Sequence, residues 1–232
     1  MRDRQNSPYL ATKRLFDIVL GSLSLAISSP VILLAALAIR LESPGNPFFL
    51  QTRVGLKGRP FTIFKLRGMQ IDARDRFPEL YDYRQFTNLD FFFHYEHDPR
   101  ITRVGQFIKR TSIDELPNFL NVVLGSMTLV GPRPDIPEML RLYGPRAERY
   151  ISVKPGVTCL SKITGRDLLT KRESIQLDLR YIEERSLRFD MRILWRTFQN
   201  IVFVRCKLPT AAKVNQASAV RRVGPVSSHA DD

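Results

Sequence analysis

Cysteine is scarce in this 232-residue chain, which holds only 2, Cys159 and Cys206. They lie far apart and show no metal-ligand spacing. That excludes a disulfide framework and a thiolate metal site, and it suits a reducing compartment. With 3 histidines, a metal centre built on imidazole is not expected either. Acidic residues are in deficit: 23 Asp and Glu stand against 36 Lys and Arg, a formal net charge of +13 and a pI of ≈ 10.2. Such an excess calls for an anionic partner, whether nucleic acid, phospholipid or a phosphorylated substrate; its bland counterpart is solubility alone. No base-reading motif accompanies the charge, so nucleic acid is not expected as a partner. No internal repeat is visible. A hydrophobic share of 44% with 25% charged residues excludes a disordered or collagen-like chain. The length suits one domain with appendages.

What is present is a run without a single charge, Ile18 to Ile39. As a helix it would rise roughly 33 Å, about the thickness of a bilayer's hydrocarbon. A buried core helix so long and so uniformly apolar is improbable. Ala26-Ile27-Ser28 is a passable signal-peptide cleavage pattern, yet the apolar run continues past it. Pro30 sits mid-run and leaves the carbonyl of Ala26 without its helical donor, so a kink is expected, with Ser28 or Ser29 re-satisfying the freed group. Arg2, Arg4, Lys13 and Arg14 precede the run, and Arg40, Arg53, Lys57 and Arg59 follow it. Basic flanks prefer the cytoplasmic side. With both flanks basic, a re-entrant helix over 15–41, broken at Ser29-Pro30 after a basic segment 1–14, is favoured over a single span.

The remainder reads as mixed α/β, mainly helical with a small sheet, over 42–204. Gly55 and Gly58 punctuate a hairpin whose second strand holds Phe61-Thr62-Ile63-Phe64. Residues 72–97 suggest no defined element, and 100–110 suggest a short helix. Leu116, Phe119, Leu120, Val123 and Leu124 recur at helical spacing up to Gly125. A strand follows over Met127 to Val130, and 150–166 read as loop-rich. From Ser174 to Val204 the chain is mostly helical. There Arg188, Arg192 and Arg196 form one stripe, with Leu187, Met191, Leu194, Trp195 and Phe198 largely opposite. Such amphipathic helices lie at a membrane interface or pack on the domain with a solvated basic face, and the two readings weigh equally. Residues 205–232 look like a disordered tail.

The densest chemistry is Thr111-Ser112-Ile113-Asp114-Glu115-Leu116-Pro117. Ser112 and Glu115 resemble a capping box, but Pro117 fits better if Asp114 is the N-cap. A cap is the plain structural reading. The functional one is that a carboxylate kept ionised by the helix dipole, near a bound phosphate, can serve as a nucleophile. Two carboxylates with a pyrophosphate also suit Mg²⁺. In Pro132-Arg133-Pro134 the two prolines stiffen the backbone around a guanidinium able to grip phosphate; the plain alternative is a turn with an exposed arginine. Lys65, Arg67 and Arg100 add cations that could face phosphate.

Taken together these motifs resemble the monotopic phosphoglycosyl transferases, the bacterial sugar transferases that load a sugar phosphate onto polyprenyl phosphate. The likeness covers nearly all of 13–204. It is carried by Lys13-Arg14-x-x-Asp17, Ser29-Pro30, Gln51-x-Arg53-x-Gly55, Lys65-x-Arg67-x-Met69, Asp98-Pro99-Arg100-Ile101-Thr102, Asp114-Glu115-Leu116-Pro117, Leu129 to Pro134, and Lys154-Pro155-Gly156-Val157-Thr158. Gly68 and Cys159 depart from the usual threonine and glycine. The resemblance implies a re-entrant helix, an active site on the cytoplasmic face of the bacterial inner membrane, and a catalytic dyad of Asp114 and Glu115. It also implies Mg²⁺ on that dyad, a nucleotide-sugar donor and a polyprenyl phosphate acceptor, with membrane lipids as further partners. Arg133, Arg100, Lys65 and Arg67 would bind substrate phosphate. Which carboxylate attacks and which ligates the metal stays open, as do the sugar, the base and a homo-oligomer. The competing reading is a non-catalytic, membrane-anchored basic module in polysaccharide export.

Overall fold

The apolar run folds as a helix that begins earlier than expected. In the computed structural model, which describes residues 7–92, 98–165 and 168–202, α1 spans Ser7–Glu42. It therefore takes in Lys13, Arg14 and Asp17 as well as the apolar run. The helix passes through Pro30 without interruption, so the expected break at Ser29-Pro30 is a proline held inside one continuous helix. The local reason is a substitution of donors. Ser29 Oγ donates to the Ala26 carbonyl at 2.8 Å, replacing the N–H that Pro30 lacks, and Ser28 Oγ donates to Leu25 O at 3.3 Å.

One face of α1 is docked and the other is bare. Asp17, Ser28, Ile32, Ala36 and Ile39 are buried at helical spacing. Ile27, Leu33 and Leu34 are 69%, 67% and 68% exposed, and Leu15, Val19, Leu23, Leu37 and Leu41 are exposed with them. An uncovered apolar stripe of that extent is unfavourable in water, and α1 is long and apolar enough to cross a membrane. Both ends of the helix are nevertheless tied to the same folded body. Near the start, Arg14 donates to Val122 O and Val123 O, and Asp17 accepts from Thr128 Oγ1 and Leu129 N. At the far end, Glu42 accepts from the backbone N–H of Arg103 and of Val104 at 2.8 and 3.0 Å, covering donors that a helix start leaves open.

That body is mainly helical with two small sheets. β1 (Phe48–Val54) and β2 (Pro60–Leu66) form the expected antiparallel hairpin, with Gln51 opposite Ile63 and Arg53 opposite Phe61. Its turn passes through Gly58 at a positive φ of 76°. The stretch without a sequence assignment contains α2 (Ala73–Arg76) and single turns of 3₁₀ helix. α3 (Arg103–Thr111) and α4 (Asn118–Leu124) follow, and Gly125 ends α4 at φ 88°. β3 (Thr128–Val130) leads to the short helices α5 (Pro137–Leu140) and α6 (Ala147–Tyr150), then to β4 (Gly156–Thr158), which pairs parallel with β3. α7 (Leu160–Thr164), α8 (Lys171–Glu184) and α9 (Leu187–Val202) close the described chain. β4 and α7 correct the loop-rich reading of 150–166: elements of three and five residues are too short to show a period. The proposed tail, 205–232, lies outside the described residues.

The main core joins Val122, Met127, Leu129 and Val130 to Ile175, Leu179 and Ile182 of α8 and Ile193 of α9. A second cluster packs Ile32, Ala36 and Ile39 of α1 on Leu66 and Ile108. On α9 the inward positions are Asp190 and Ile193, whereas Met191, Trp195 and Phe198 are exposed beside the exposed Arg188, Arg192 and Arg196. The apolar stripe of α9 is thus divided: Leu194 packs against the main core, whereas Met191, Trp195 and Phe198 are uncovered among the described residues.

Candidate active site

β3 and β4 run parallel, so the chain segments leaving their C-terminal ends emerge on one side. One is Gly131 to Pro134, carrying Arg133; the other is Cys159 to Lys162. The two strands approach so closely that a Cβ at Gly156 would lie 2.1 Å from the Gly131 nitrogen, which requires glycine. β2 presents Ile63 and Lys65 on one face, with Arg53 of β1 on the same side of the hairpin. A one-turn 3₁₀ helix, Ile113–Glu115, brings in the dyad. Between these pieces lies a cavity of ≈ 380 Å³, counting its open mouth, lined by Arg53, Lys65, Glu115, Asn118, Arg133 and Lys162 among others. Its charged lining is four cations and one carboxylate, an anion-binding complement.

Glu115 is clamped. Lys65 Nζ donates to Oε1 at 3.0 Å, and Lys162 Nζ donates to Oε2. Burial pushes its pKa up, but Lys162 and Lys65 overcome that and hold the carboxyl well below the usual range. Asp114 precedes Glu115 in the same turn, is not itself among the residues lining the cavity, and accepts no hydrogen bond among the described residues. Its pKa is raised, first by burial and then by the Glu115 charge, against the pull of Lys65, Lys109 and Lys162. This corrects the helix-cap reading. Asp114 is inside a 3₁₀ turn, Pro117 occupies the N-cap position of α4, and neither Asp114 nor Ser112 makes a cap bond. The dipole of a seven-residue helix that starts four residues later does not control its charge. Ser112 immediately before the turn is held left-handed, at φ 56°, a conformation costly for a non-glycine residue.

The predicted phosphate ligands divide. Arg133 and Lys65 line the cavity. Arg67 is drawn off beneath the α1–β1 connection, donating to Ser43 O and Pro44 O at 2.8 and 2.7 Å. Arg100 closes a bidentate fork on Asp98, Nε to Oδ1 and Nη2 to Oδ2, both at 2.8 Å, and lies over the Tyr81 ring. Neither guanidinium lines the cavity. In their place the structure brings Arg53 and Lys162, which sequence reasoning did not assign. Lys162 follows Lys154-Pro155-Gly156-Val157-Thr158 by four residues, and Arg53 lies within Gln51-x-Arg53-x-Gly55; those motifs were the available signals.

A buried polar layer supports the arginine loop. Asp178, wholly buried, accepts from Arg133 N at 2.9 Å and from Tyr150 Oη at 3.0 Å, and Ser161 N approaches its other oxygen at 3.4 Å. Asp135 is paired with Lys171 at 2.6 Å and with Tyr143 Oη.

Among the described residues no group of three or more His, Cys, Asp or Glu gathers. A carboxylate-poor Mg²⁺ site completed by substrate phosphates still fits, because Mg²⁺ is commonly held by one or two carboxylates plus phosphate. Asp114 is the carboxylate available for it. Both oxygens of Glu115 are already on ammonium groups.

The dyad, with Glu115 in the lining of a cavity that carries four cations, stands in a body joined to a helix with a bare apolar stripe. Comparison with known proteins identifies the family. Residues 8–204 match the family described as bacterial sugar transferase, and the chain belongs to that family. It is 41% identical over 193 residues to the UDP-glucose:undecaprenyl-phosphate glucose-1-phosphate transferase of Escherichia coli, covering 80% of this chain and 39% of that protein. It is 40% identical to the galactosyl transferase CpsE of Streptococcus agalactiae, covering 84% and 43%. With a UDP-glucose:undecaprenyl-phosphate glucose-1-phosphate transferase of Caulobacter vibrioides the identity is 39%, covering 82% and 69%. The chain thus spans about two fifths of the first two relatives.

Proposed function

We propose that this chain transfers a sugar 1-phosphate from a UDP-sugar to polyprenyl phosphate at the cytoplasmic face of a bacterial inner membrane, an initiating step in polysaccharide or glycoconjugate assembly. The observation that carries the reading is the clamped Glu115 beside Asp114, whose carboxylate is uncommitted, at a cavity with four cations. Asp114 Oδ attacks the sugar-proximal phosphorus, and the bond from that phosphorus to the bridging oxygen breaks. Uridine monophosphate departs with that oxygen, leaving a phosphosugar ester on Asp114. A polyprenyl phosphate oxygen then attacks the same phosphorus and restores the carboxylate. A water-soluble donor and a lipid acceptor need never share the site, so the kinetics are ping-pong. Arg133, Lys65, Lys162 and Arg53 neutralise the phosphates. Mg²⁺ held by Asp114 and the pyrophosphate would supply further charge neutralisation. The test is purified full chain with UDP-glucose, UDP-galactose or UDP-N-acetylglucosamine and polyprenyl phosphate, scored for monophosphate release. Absence of release from all three overturns the reading.

Arg133→Lys keeps a charge but loses the fork. It is expected to lower kcat/KM by about 10- to 100-fold; near-normal activity removes Arg133 from the donor site.

The bare stripe of α1 and the exposed Met191, Trp195 and Phe198 of α9 support burial in a membrane surface. The docking of both α1 ends on one body supports a helix that enters and leaves by the same face. Single cysteines at the exposed positions Ala11 and Arg59, in a chain with Cys206→Ser, are expected to resist an impermeant thiol reagent in intact cells and to react after permeabilisation. Cys159 does not interfere, since burial first, then Asp178, pushes its thiol up to about 12. Labelling of one position alone in intact cells means a spanning helix.

A further inference from the structure

Three buried side-chain polar atoms lack a hydrogen-bond partner among the described residues: Arg53 Nε, Arg67 Nε and Asn118 Oδ1. Two of the three belong to residues lining the catalytic cavity. Folded proteins leave few such atoms, because each gives up its hydrogen bonds to water without a replacement. Asn118 has an internal control three residues away on α4. Asn121 is as buried, 1% against 2% exposed, yet fully engaged. Its Nδ2 donates to Thr62 O at 2.7 Å and Ser126 Oγ at 3.0 Å, and its Oδ1 accepts from Phe64 N at 3.2 Å. The same residue type on the same helix is thus structural at 121 and unused by the fold at 118.

We infer that Asn118 reads the sugar of the donor, its Oδ1 accepting a hydrogen bond from the hydroxyl or amide N–H at C2 of the pyranose. This rests on the transferase reading and deepens it. An unpaired acceptor among cationic side chains has no use for phosphate oxygens, which are themselves acceptors; it needs a ligand N–H or O–H. Asn118 follows Glu115 by three residues, on the side of the dyad that faces the cavity. The ligand group in reach is therefore the one nearest the reacting phosphorus. In a nucleotide sugar that is the C2 substituent beside the anomeric oxygen; the base lies beyond a second phosphate and a ribose. A site built to bond a substrate hydroxyl rejects the analogue that lacks it.

The test is calorimetric binding to full-length Asp114→Asn protein, which keeps Asn118 and halts turnover. UDP-glucose, UDP-galactose and UDP-N-acetylglucosamine are titrated, and the tightest is compared with its 2-deoxy counterpart. The parent is expected to bind about 10- to 100-fold better. Adding Asn118→Leu should reduce that ratio below about threefold without lowering thermal stability, since no protein partner is lost. Adding Asn118→Asp, which keeps an acceptor, should preserve the ratio even if overall affinity falls. Asn121→Leu, by contrast, should destabilise. A ratio unchanged in Asn118→Leu overturns the inference, as does a ratio lost in Asn118→Asp, or an Asn118→Leu loss that extends equally to uridine monophosphate. Discrimination with no turnover by the unmutated enzyme would overturn the transferase reading alone; no binding of any donor overturns both.

Discussion

Asp114→Asn is expected to abolish turnover, with no monophosphate released and no donor phosphate transferred to protein, a loss on the order of 10³-fold or more. An amide is not a nucleophile towards phosphorus, and the neighbouring Glu115 cannot take over because both its oxygens are held by ammonium groups. Donor labelled at the sugar-side phosphate, given without acceptor, should mark the unmutated chain at Asp114 and leave the mutant blank. The same geometry sets a pH dependence. Burial and the Glu115 charge raise the Asp114 pKa. Only the ionised form attacks, so kcat/KM is expected to fall as pH drops through that raised value, and the acid limb should lie above the ordinary aspartate range. Lys65→Met removes a cation that pulls the Asp114 pKa down, so the limb should move further up. A mutant Asp114→Asn that still turns over sinks the covalent route, while kinetics requiring both substrates at once would do the same by another path.

How much of this was legible in the sequence depends on the range of each interaction. The Ser29-Pro30 pair is local: a missing N–H at Pro30 and a hydroxyl beside it are readable, and Ser29 indeed bonds Ala26 O. What the sequence does not carry is that the exchange leaves the helix continuous. The hairpin and the stop of α4 at Gly125 are local too. Arg100 shows the opposite hazard. Its partner Asp98 stands two residues away, and the pair satisfies itself in a fork, so a cation beside a proline looked like a phosphate ligand when it was already spent. Arg67 is consumed by carbonyls 23 and 24 residues away. Lys162 reaches Glu115 across 47 residues, through the parallel pairing of two three-residue strands too short to announce themselves. The dyad was visible as chemistry, but its electrostatics came from tertiary contacts, and these reverse the expected effect of a helix dipole on Asp114.

Asp178→Leu is expected to cost the protein its fold. The carboxylate is wholly buried and accepts from Arg133 N and Tyr150 Oη, with Ser161 N beside its second oxygen. Leucine fills the space but leaves Arg133 N and Ser161 N unpaired in the interior, at about 1–3 kcal/mol each, while the Tyr150 hydroxyl keeps Arg133 O. The sum is a large fraction of the whole stability of a typical domain, about 5–15 kcal/mol. The single Tyr150 hydroxyl hydrogen is shared between Asp178 and Arg133 O, so the backbone of the arginine loop is held from both its N–H and its C=O by one buried group and its neighbour. Tyr150→Phe keeps Asp178 and loses only the hydroxyl, so it should cost about 1 kcal/mol in stability while lowering activity more than stability, because Arg133 loses part of its seat. The pH behaviour separates this hub from Asp135. Burial raises the Asp178 pKa despite its hydrogen bonds, so the ionised form is the costlier one and acid does not weaken the fold through this residue. Asp135 is held below its usual value because Lys171 overcomes the effect of burial, and the stability it contributes is lost as pH falls through that depressed value. Thermal unfolding of Asp178→Leu and Tyr150→Phe in detergent, with kcat/KM for the latter, decides the matter. If Asp178→Leu unfolds at the unmutated temperature, the carboxylate does not hold the arginine loop.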